Sequence, residues 1–160
     1  LHYERLRMDL RYTAIKWDML GKPMYVGELA NRLPEREITE LTPFYRDISI
    51  KDVLIQNSTH FLKIIGIPES PLRNLHMNNV QANSEDLMFM YDAQNVTIEN
   101  TEITTPDSLI DILGSRNILF KNVDFNIGED DIALEVSGKR SDSIMFKNCQ
   151  PPVESWFKKE

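Results

Sequence analysis

The sequence predicts an all-β protein, a parallel β-helix of about five coils, on three observations. A short pattern recurs five times, its apolar residues alternate, and a second apolar run follows most copies. The pattern is a small polar residue, an aliphatic residue, any residue, an apolar residue, a spacer, Asn or Asp, and a small apolar residue. It occupies residues 47–53, 74–80, 95–101, 117–123 and 143–149. Successive copies begin about 21 to 27 residues apart, a period typical of solenoids.

Each copy is predicted to be a short strand with one buried face, because alternation of apolar residues has the period of a strand. The second apolar runs lie at residues 61–65, 87–91, 109–113 and 132–136, and Gly66, Gly114 and Gly138 close three of them as turn residues do. A leucine-rich repeat would need leucines at fixed places and a helical return segment, and neither is present. The pattern therefore favours two or three strands in each stacked coil.

The Asn or Asp of each copy is expected at one corner of the stack. Side-chain amides stacked at the strand spacing can hydrogen-bond along the stack. Asn is also a common turn residue, but its recurrence in one register favours a ladder. The predicted members are Asp52, Asn79, Asn100, Asn122 and Asn148.

We interpret residues 1–150 as β-helix coils and residues 151–160 as a C-terminal cap or tail. Residues 1–20 resemble an incomplete coil, so the chain is expected to be a fragment of a longer β-helix. Residues 21–41 contain Gly, Pro and charged residues and are predicted to be an insertion loop. Trp156 could cover the last coil, since repeat proteins need capped ends. The open N-terminal coil is a candidate surface for self-association.

Composition excludes several classes of partner. A net charge of −7 argues against nucleic acid and against an anionic membrane, since both need clustered cations. It would also repel a polyanionic sugar unless basic residues are concentrated locally.

The single Cys149 excludes an internal disulfide framework, and the three histidines show no metal-ligand spacing. No apolar run approaches the ~20 residues of a membrane span.

Two segments are distinctive, residues 42–53 and the turn that begins at Gly66. Both resemble the family 28 glycoside hydrolases, the polygalacturonase-like enzymes. Residues 42–53, Thr-Pro-Phe-Tyr-Arg-Asp-Ile-Ser-Ile-Lys-Asp-Val, are similar to the entry to a late coil in that family. Residues 66–75, beginning Gly-Ile-Pro-Glu-Ser-Pro, are similar to the Gly-Leu-Pro-Glu-x-Pro turn that follows it. The spacing between the two segments also fits. The similarity covers most of residues 1–150, the C-terminal coils of the family's β-helix.

The resemblance implies a right-handed parallel β-helix in a secreted or periplasmic enzyme that hydrolyses pectin-type polysaccharide without metal or cofactor. The family inverts the anomeric centre, which needs a carboxylic acid and a carboxylate about 6.5–9.5 Å apart. Its signature is Asn-Thr-Asp, Gly-Asp-Asp, His-Gly and an Arg-x-Lys substrate clamp. These motifs precede the coils that this chain resembles, so the catalytic centre is expected upstream and this chain alone is expected to be inactive.

Four carboxylates are nevertheless weak catalytic candidates. Asp107, together with Glu129, Asp130 and Asp131, imitates the first two motifs at nearly the right separation. The chain departs from the family, however, because neither a His nor an Arg-x-Lys follows Asp131. A solvated acidic turn is the favoured interpretation. The rival hypothesis for the whole chain is a non-catalytic β-helix module for carbohydrate binding or assembly.

Overall fold

The structure, a computed structural model, describes residues 1–128, 132–153 and 156–159, with the backbone alone for 157–159. Within these residues the strands form two parallel six-stranded sheets. Sheet A contains β1 (His2–Met8), β3 (Arg46–Ile55), β5 (Leu72–Asn83), β7 (Ala93–Thr105), β9 (Arg116–Ile127) and β11 (Asp142–Lys147). Sheet B contains β2 (Ile15–Asp18), β4 (His60–Ile65), β6 (Asp86–Tyr91), β8 (Leu109–Leu113), β10 (Ala133–Ser137) and β12 (Phe157–Lys159).

Each strand of one sheet is followed along the chain by a strand of the other, and every strand pairs with its equivalent in the next coil. In register, Ile48 pairs with Leu75, Leu75 with Val96, and Val96 with Ile118. This arrangement is a parallel β-helix with about four regular turns. The predicted fold class is confirmed.

The long strands of sheet A bend at residues with positive φ. One set lies at the first position of the repeat and the other at the Asn or Asp near its end. The first set is Asp47, Asn74, Asn95, Asn117 and Ser143, and the second includes Asp52, Asn79, Asn100, Asn122 and Asn148, with φ between 50° and 56° in both. Asn and Asp tolerate this left-handed conformation better than other non-glycine residues. The backbone therefore explains why the repeat places these residue types there.

The predicted ladder is present, with one shift in register. Asn79 Nδ2 donates to Asp52 Oδ1 at 2.6 Å. Asn100 then donates to Asn78 Oδ1 rather than to Asn79, at 3.0 Å. Asn122 donates to Asn100 at 2.9 Å, and Asn148 donates to Asn122 at 3.3 Å.

The first residues of the repeats form a second ladder, which the sequence analysis did not predict. Asn74 donates to Asp47 at 2.7 Å, Asn95 to Asn74 at 3.0 Å and Asn117 to Asn95 at 3.1 Å. Both bends of each regular coil are thus fixed by backbone conformation and by side-chain hydrogen bonds.

The core is an aliphatic stack inside the coils. Ile48, Leu75, Val96 and Ile118 are buried and follow one another in register, whereas Ile144 of the last coil is only partly buried. Trp156 packs edge-on against Phe125 and Phe146, with ring centroids 5.5 Å and 4.6 Å away. Buried Trp156 thereby covers the C-terminal end of this core.

The segment between β2 and β3 leaves the coils. It contains a short helix α1 (Pro23–Val26) and a 3-10 turn (Gly27–Ala30). Its described contacts join it to turns of the solenoid: Arg32 binds Asp92 after β6, and Glu35 binds Arg140 after β10. The loop therefore runs alongside the turns that lead from sheet B to sheet A.

Candidate functional site

The carboxylate of Asp107, the first catalytic candidate, is hydrogen-bonded to the backbone. It lies in the turn before β8, where its Oδ2 accepts the amide of Leu87 at 2.9 Å and its Oδ1 accepts the amide of Leu109 at 3.2 Å. Both oxygens therefore bond to backbone, one in its own coil and one in the neighbouring coil. The other three candidates, Glu129, Asp130 and Asp131, lie outside the described residues.

The outer face of sheet B is acidic and partly aromatic. Lys63, Phe89, Asp111 and Glu135 occupy one register position in successive coils. The Lys63 ammonium lies over the Phe89 ring, 4.6 Å from its centroid. Tyr91 donates its hydroxyl to Asp111 Oδ2 at 2.5 Å. Burial, reinforced by the hydrogen bond to Asp111, raises the pKa of Tyr91 to about 12, so at neutral pH this phenol remains a donor.

A shallow cavity of about 240 Å³ lies on this face, between His60, Phe89, Asp107 and neighbouring residues. His60 Nε2 is 3.1 Å from an Asp86 oxygen at its edge. The cavity thus combines one aromatic wall with several oxygen acceptors. Such a lining suits hydroxyl groups better than it suits an anion.

A second cavity, of about 460 Å³, lies where the chain leaves sheet B and enters sheet A. We call it the basic recess and define it by Arg73, Gln94, Arg116, Lys139 and Arg140. The β-ladder aligns the first three residues, because Gln94 pairs with Arg73 on one side and with Arg116 on the other. Arg116 also donates to Gln94 Oε1 at 3.1 Å.

The recess concentrates positive charge in an acidic chain. Four cationic side chains and two carboxylates, Asp92 and Asp142, line it, whereas the whole chain carries −7. Asp92 is already paired with Arg32, and Arg140 with Glu35. Within the described residues, no carboxylate is within 4.0 Å of the charged groups of Arg73, Arg116 or Lys139. The arrangement can therefore accept an anion from solvent.

The turns that form this recess are closely packed. Gly66, Asp92 and Gly114 follow β4, β6 and β8, and each donates its amide to the last residue of the strand in the next coil. A Cβ on Gly66 would lie 2.3 Å from the Asp92 carbonyl oxygen. Only glycine permits this approach, which is the reason for the turn glycine seen in the sequence.

The sequence analysis did not identify the basic recess, although the repeat contained a signal. The residue immediately before each repeat is Arg46, Arg73, Gln94, Arg116 or Asp142, and these residues align across sheet A. Three arginines at one repeat position predict a local cationic row once the coils are stacked. Lys139 and Arg140 join this row through the fold and could not be placed from the repeat.

Comparisons of the chain with protein-family models, with curated proteins and with solved structures found no match. In the described part of the chain, no helix is long and apolar enough to cross a membrane. The geometry and charge of the outer face of sheet B and of the basic recess are therefore the basis for the functional proposal.

Proposed function

We propose that this chain belongs to a polygalacturonase-like glycoside hydrolase of the secreted or periplasmic space and binds its pectin-type substrate through the basic recess. The observation that supports this most directly is the group of cations at Arg73, Arg116 and Lys139, for which the described part of the chain offers no carboxylate within 4.0 Å, in a chain of net negative charge. A pectic chain bears a carboxylate on its uronic acid units, so this recess supplies the local positive charge that the acidic composition otherwise lacks.

Arginine suits such a ligand because its planar guanidinium can hold a carboxylate through two parallel hydrogen bonds. Arg73 and Arg116 are two coils apart, which corresponds to about 9.6 Å along the axis. Gln94 lies between them and can bond to a sugar hydroxyl. One polyuronate chain can thus contact two cations and a neutral polar group at the same time. An isolated uronic acid has one carboxylate and cannot contact both cations.

The second candidate function is a non-catalytic β-helix module that binds carbohydrate. The bonding of Asp107 fits it, because a carboxylate whose two oxygens accept backbone amides is poorly placed to act as acid or base. The hydrolase proposal fits that bonding equally, since its catalytic centre would lie outside this chain. Both candidates use the basic recess to bind the polymer. They differ in whether coils outside this chain supply an inverting carboxylate pair.

Binding of polygalacturonate is expected to depend on the recess and on salt. Arg73→Ala combined with Arg116→Ala should weaken binding by at least about tenfold, because each charged contact contributes on the order of 1 kcal/mol or more. The measurement is affinity electrophoresis or calorimetry with polygalacturonate. Raising the salt concentration should weaken wild-type binding, since exposed charges are screened.

The matched control is Lys121→Ala, which removes an exposed cation from the outer face of sheet A. It should leave the affinity unchanged, and neutral dextran should not bind at the recess. Equal loss of binding in Lys121→Ala and in the double arginine variant would indicate nonspecific charge attraction and contradict the proposal.

Hydrolysis of polygalacturonate by the isolated chain is expected to be undetectable. An inverting site needs an acid, a base and a substrate clamp in fixed geometry, and positioned acid–base groups alone contribute about 10²–10⁴ in rate. The release of reducing ends measures this directly. Activity that Asp130→Asn abolishes would instead place the catalytic centre within this chain.

A further inference from the structure

Among the described residues, Arg140 alone of the four recess cations has a carboxylate partner. Its Nη2 donates to Oε2 of Glu35, which lies in the loop between β2 and β3. Glu35 is not itself a lining residue of the recess, so the loop supplies a counter-ion from outside. The charge that Arg140 could offer to an anion in the recess is therefore largely balanced by a carboxylate of this chain.

A second bond holds the side chain of Arg140 along the recess. Its Nη1 donates to the Pro68 carbonyl oxygen at 2.7 Å, and Pro68 also lines the recess. Pro68 follows β4 and Arg140 follows β10, with the coils of β6 and β8 between them. Because this bond does not involve Glu35, loss of Glu35 would free the charge of Arg140 and leave the guanidinium at the recess wall.

The ion pair between Arg140 and Glu35 is open to exchange with an anion from solvent. The two side chains are 48% and 51% exposed, and exposed ion pairs contribute little to stability. The hydrogen bond from Arg140 lowers the pKa of Glu35 from its usual value, so Glu35 is an anion at neutral pH. A ligand carboxylate has the same chemistry as the Glu35 carboxylate and can accept the same charge-assisted bond.

The other ion pair beside the recess is not open to exchange in this way. Asp92 is 1% exposed and accepts bonds from both Nε and Nη2 of Arg32. A ligand carboxylate cannot replace a buried carboxylate without reaching the buried site. Displacement of Glu35 would therefore loosen one contact of the loop and leave its buried anchor in place.

We propose that Glu35 is an internal competitor of the anionic ligand: it lowers the affinity of the basic recess by neutralising Arg140, and a ligand carboxylate takes its place when the polymer binds. This inference rests on the proposed function, because it requires an anionic ligand in the recess. Since the two carboxylates exclude each other at Arg140, removal of one must strengthen the binding of the other. Glu35 thus determines the affinity of the recess from outside its lining.

Calorimetry with polygalacturonate at low salt tests this competition. Glu35→Gln should bind about two- to fivefold more tightly than the wild-type chain, as expected for the loss of an exposed ion pair. Misfolding cannot produce such a gain of affinity. In the background of Arg140→Gln, the same substitution should change the affinity little, because the competition is absent there. This comparison separates the competition from the general effect of removing one negative charge.

Glu40→Gln is a matched control for Glu35→Gln. Glu40 is an exposed carboxylate of the same loop, and within the described residues it has no cationic group within 4.0 Å. Its substitution removes the same charge and should not reproduce the gain of affinity.

The outcomes distinguish failure of this competition from failure of the proposed function. If the double arginine variant loses binding but Glu35→Gln binds no more tightly than the wild-type chain, the competition is refuted and the proposed function stands. If neither the wild-type chain nor Glu35→Gln binds polygalacturonate, the proposed function is contradicted, and citrate, a small tricarboxylate, replaces the polymer as the probe. Tighter binding of citrate by Glu35→Gln than by the wild-type chain would then support the competition, and equal binding or none would overturn it.

Discussion

Replacement of Arg32 by alanine is expected to lower the free energy of unfolding by about 3–5 kcal/mol, the usual loss when one partner of a buried ion pair is removed. Asp92 is 1% exposed. Arg32 Nε donates to its Oδ2, and Arg32 Nη2 donates to its Oδ1 at 2.8 Å. The substitution leaves the Asp92 carboxylate buried without its counter-charge and detaches the loop from the turn after β6.

Urea denaturation measures this loss, and a compensating variant separates its causes. Combining Arg32→Ala with Asp92→Asn should recover much of the stability, because the uncompensated charge is gone and Asn tolerates the φ of 50° at this position. Arg46→Ala is the matched control. Arg46 is exposed, and its ion pair with Asp47, with Nε 3.8 Å from Oδ2, is long and also exposed. The effect of Arg46→Ala should remain within about 0.5 kcal/mol. Similar losses in Arg32→Ala and Arg46→Ala would contradict the role given to the buried pair.

The fold was predictable because the signals that determine it are local and repeated. Alternation places Leu75, Val96 and Ile118 on the inner faces of successive coils. The residues at the bends, such as Asn100 and Asn122, adopt a positive φ that few other side chains accept. Each coil needs apolar residues on its inner face and Asn or Asp at its bends, so the same pattern recurs several times in the sequence. A single coil would have been ambiguous.

The candidate binding surfaces were less predictable because they depend on contacts between distant residues. Arg32 reaches Asp92 across 60 positions, and Arg140 reaches Glu35 across 105. The loop that makes these contacts has no periodicity from which its path could be derived. The position of the loop determines that Glu35 neutralises one cation of the basic recess, Arg140.

Asp107 illustrates a different limit of sequence reasoning. An acid at the start of a strand can close a turn by accepting backbone amides, or it can act on a substrate, and both roles use the same residue type at the same place. In the structure its oxygens accept the backbone amides of Leu87 and Leu109, as a role in the turn requires. The signal for the proposed binding surface was the arginine that precedes three of the five repeats, which indicates a cationic row only when the coils are stacked.

Replacement of Gly66 by alanine is expected to destabilise the protein by about 3 kcal/mol or more, at the upper end of the range for overpacking. The added Cβ would lie 2.3 Å from the Asp92 carbonyl oxygen, which is backbone and cannot rotate away. That oxygen also accepts the Leu72 amide at 3.0 Å, and the Gly66 amide donates to Tyr91 at 2.8 Å. Relief of the clash therefore requires the paired turns of adjacent coils to separate.

Gly128→Ala provides the matched control for Gly66→Ala. Among the described residues a Cβ at Gly128 meets no atom within 4 Å, and no left-handed φ constrains Gly128. Its substitution should be neutral or stabilising by about 0.4–1 kcal/mol, since alanine reduces the conformational freedom of the unfolded chain. Urea denaturation of both variants is the measurement. A Gly66→Ala variant as stable as Gly128→Ala would show that the turns after β4 and β6 are not in close contact, and the basic recess that they border would then need a different geometry.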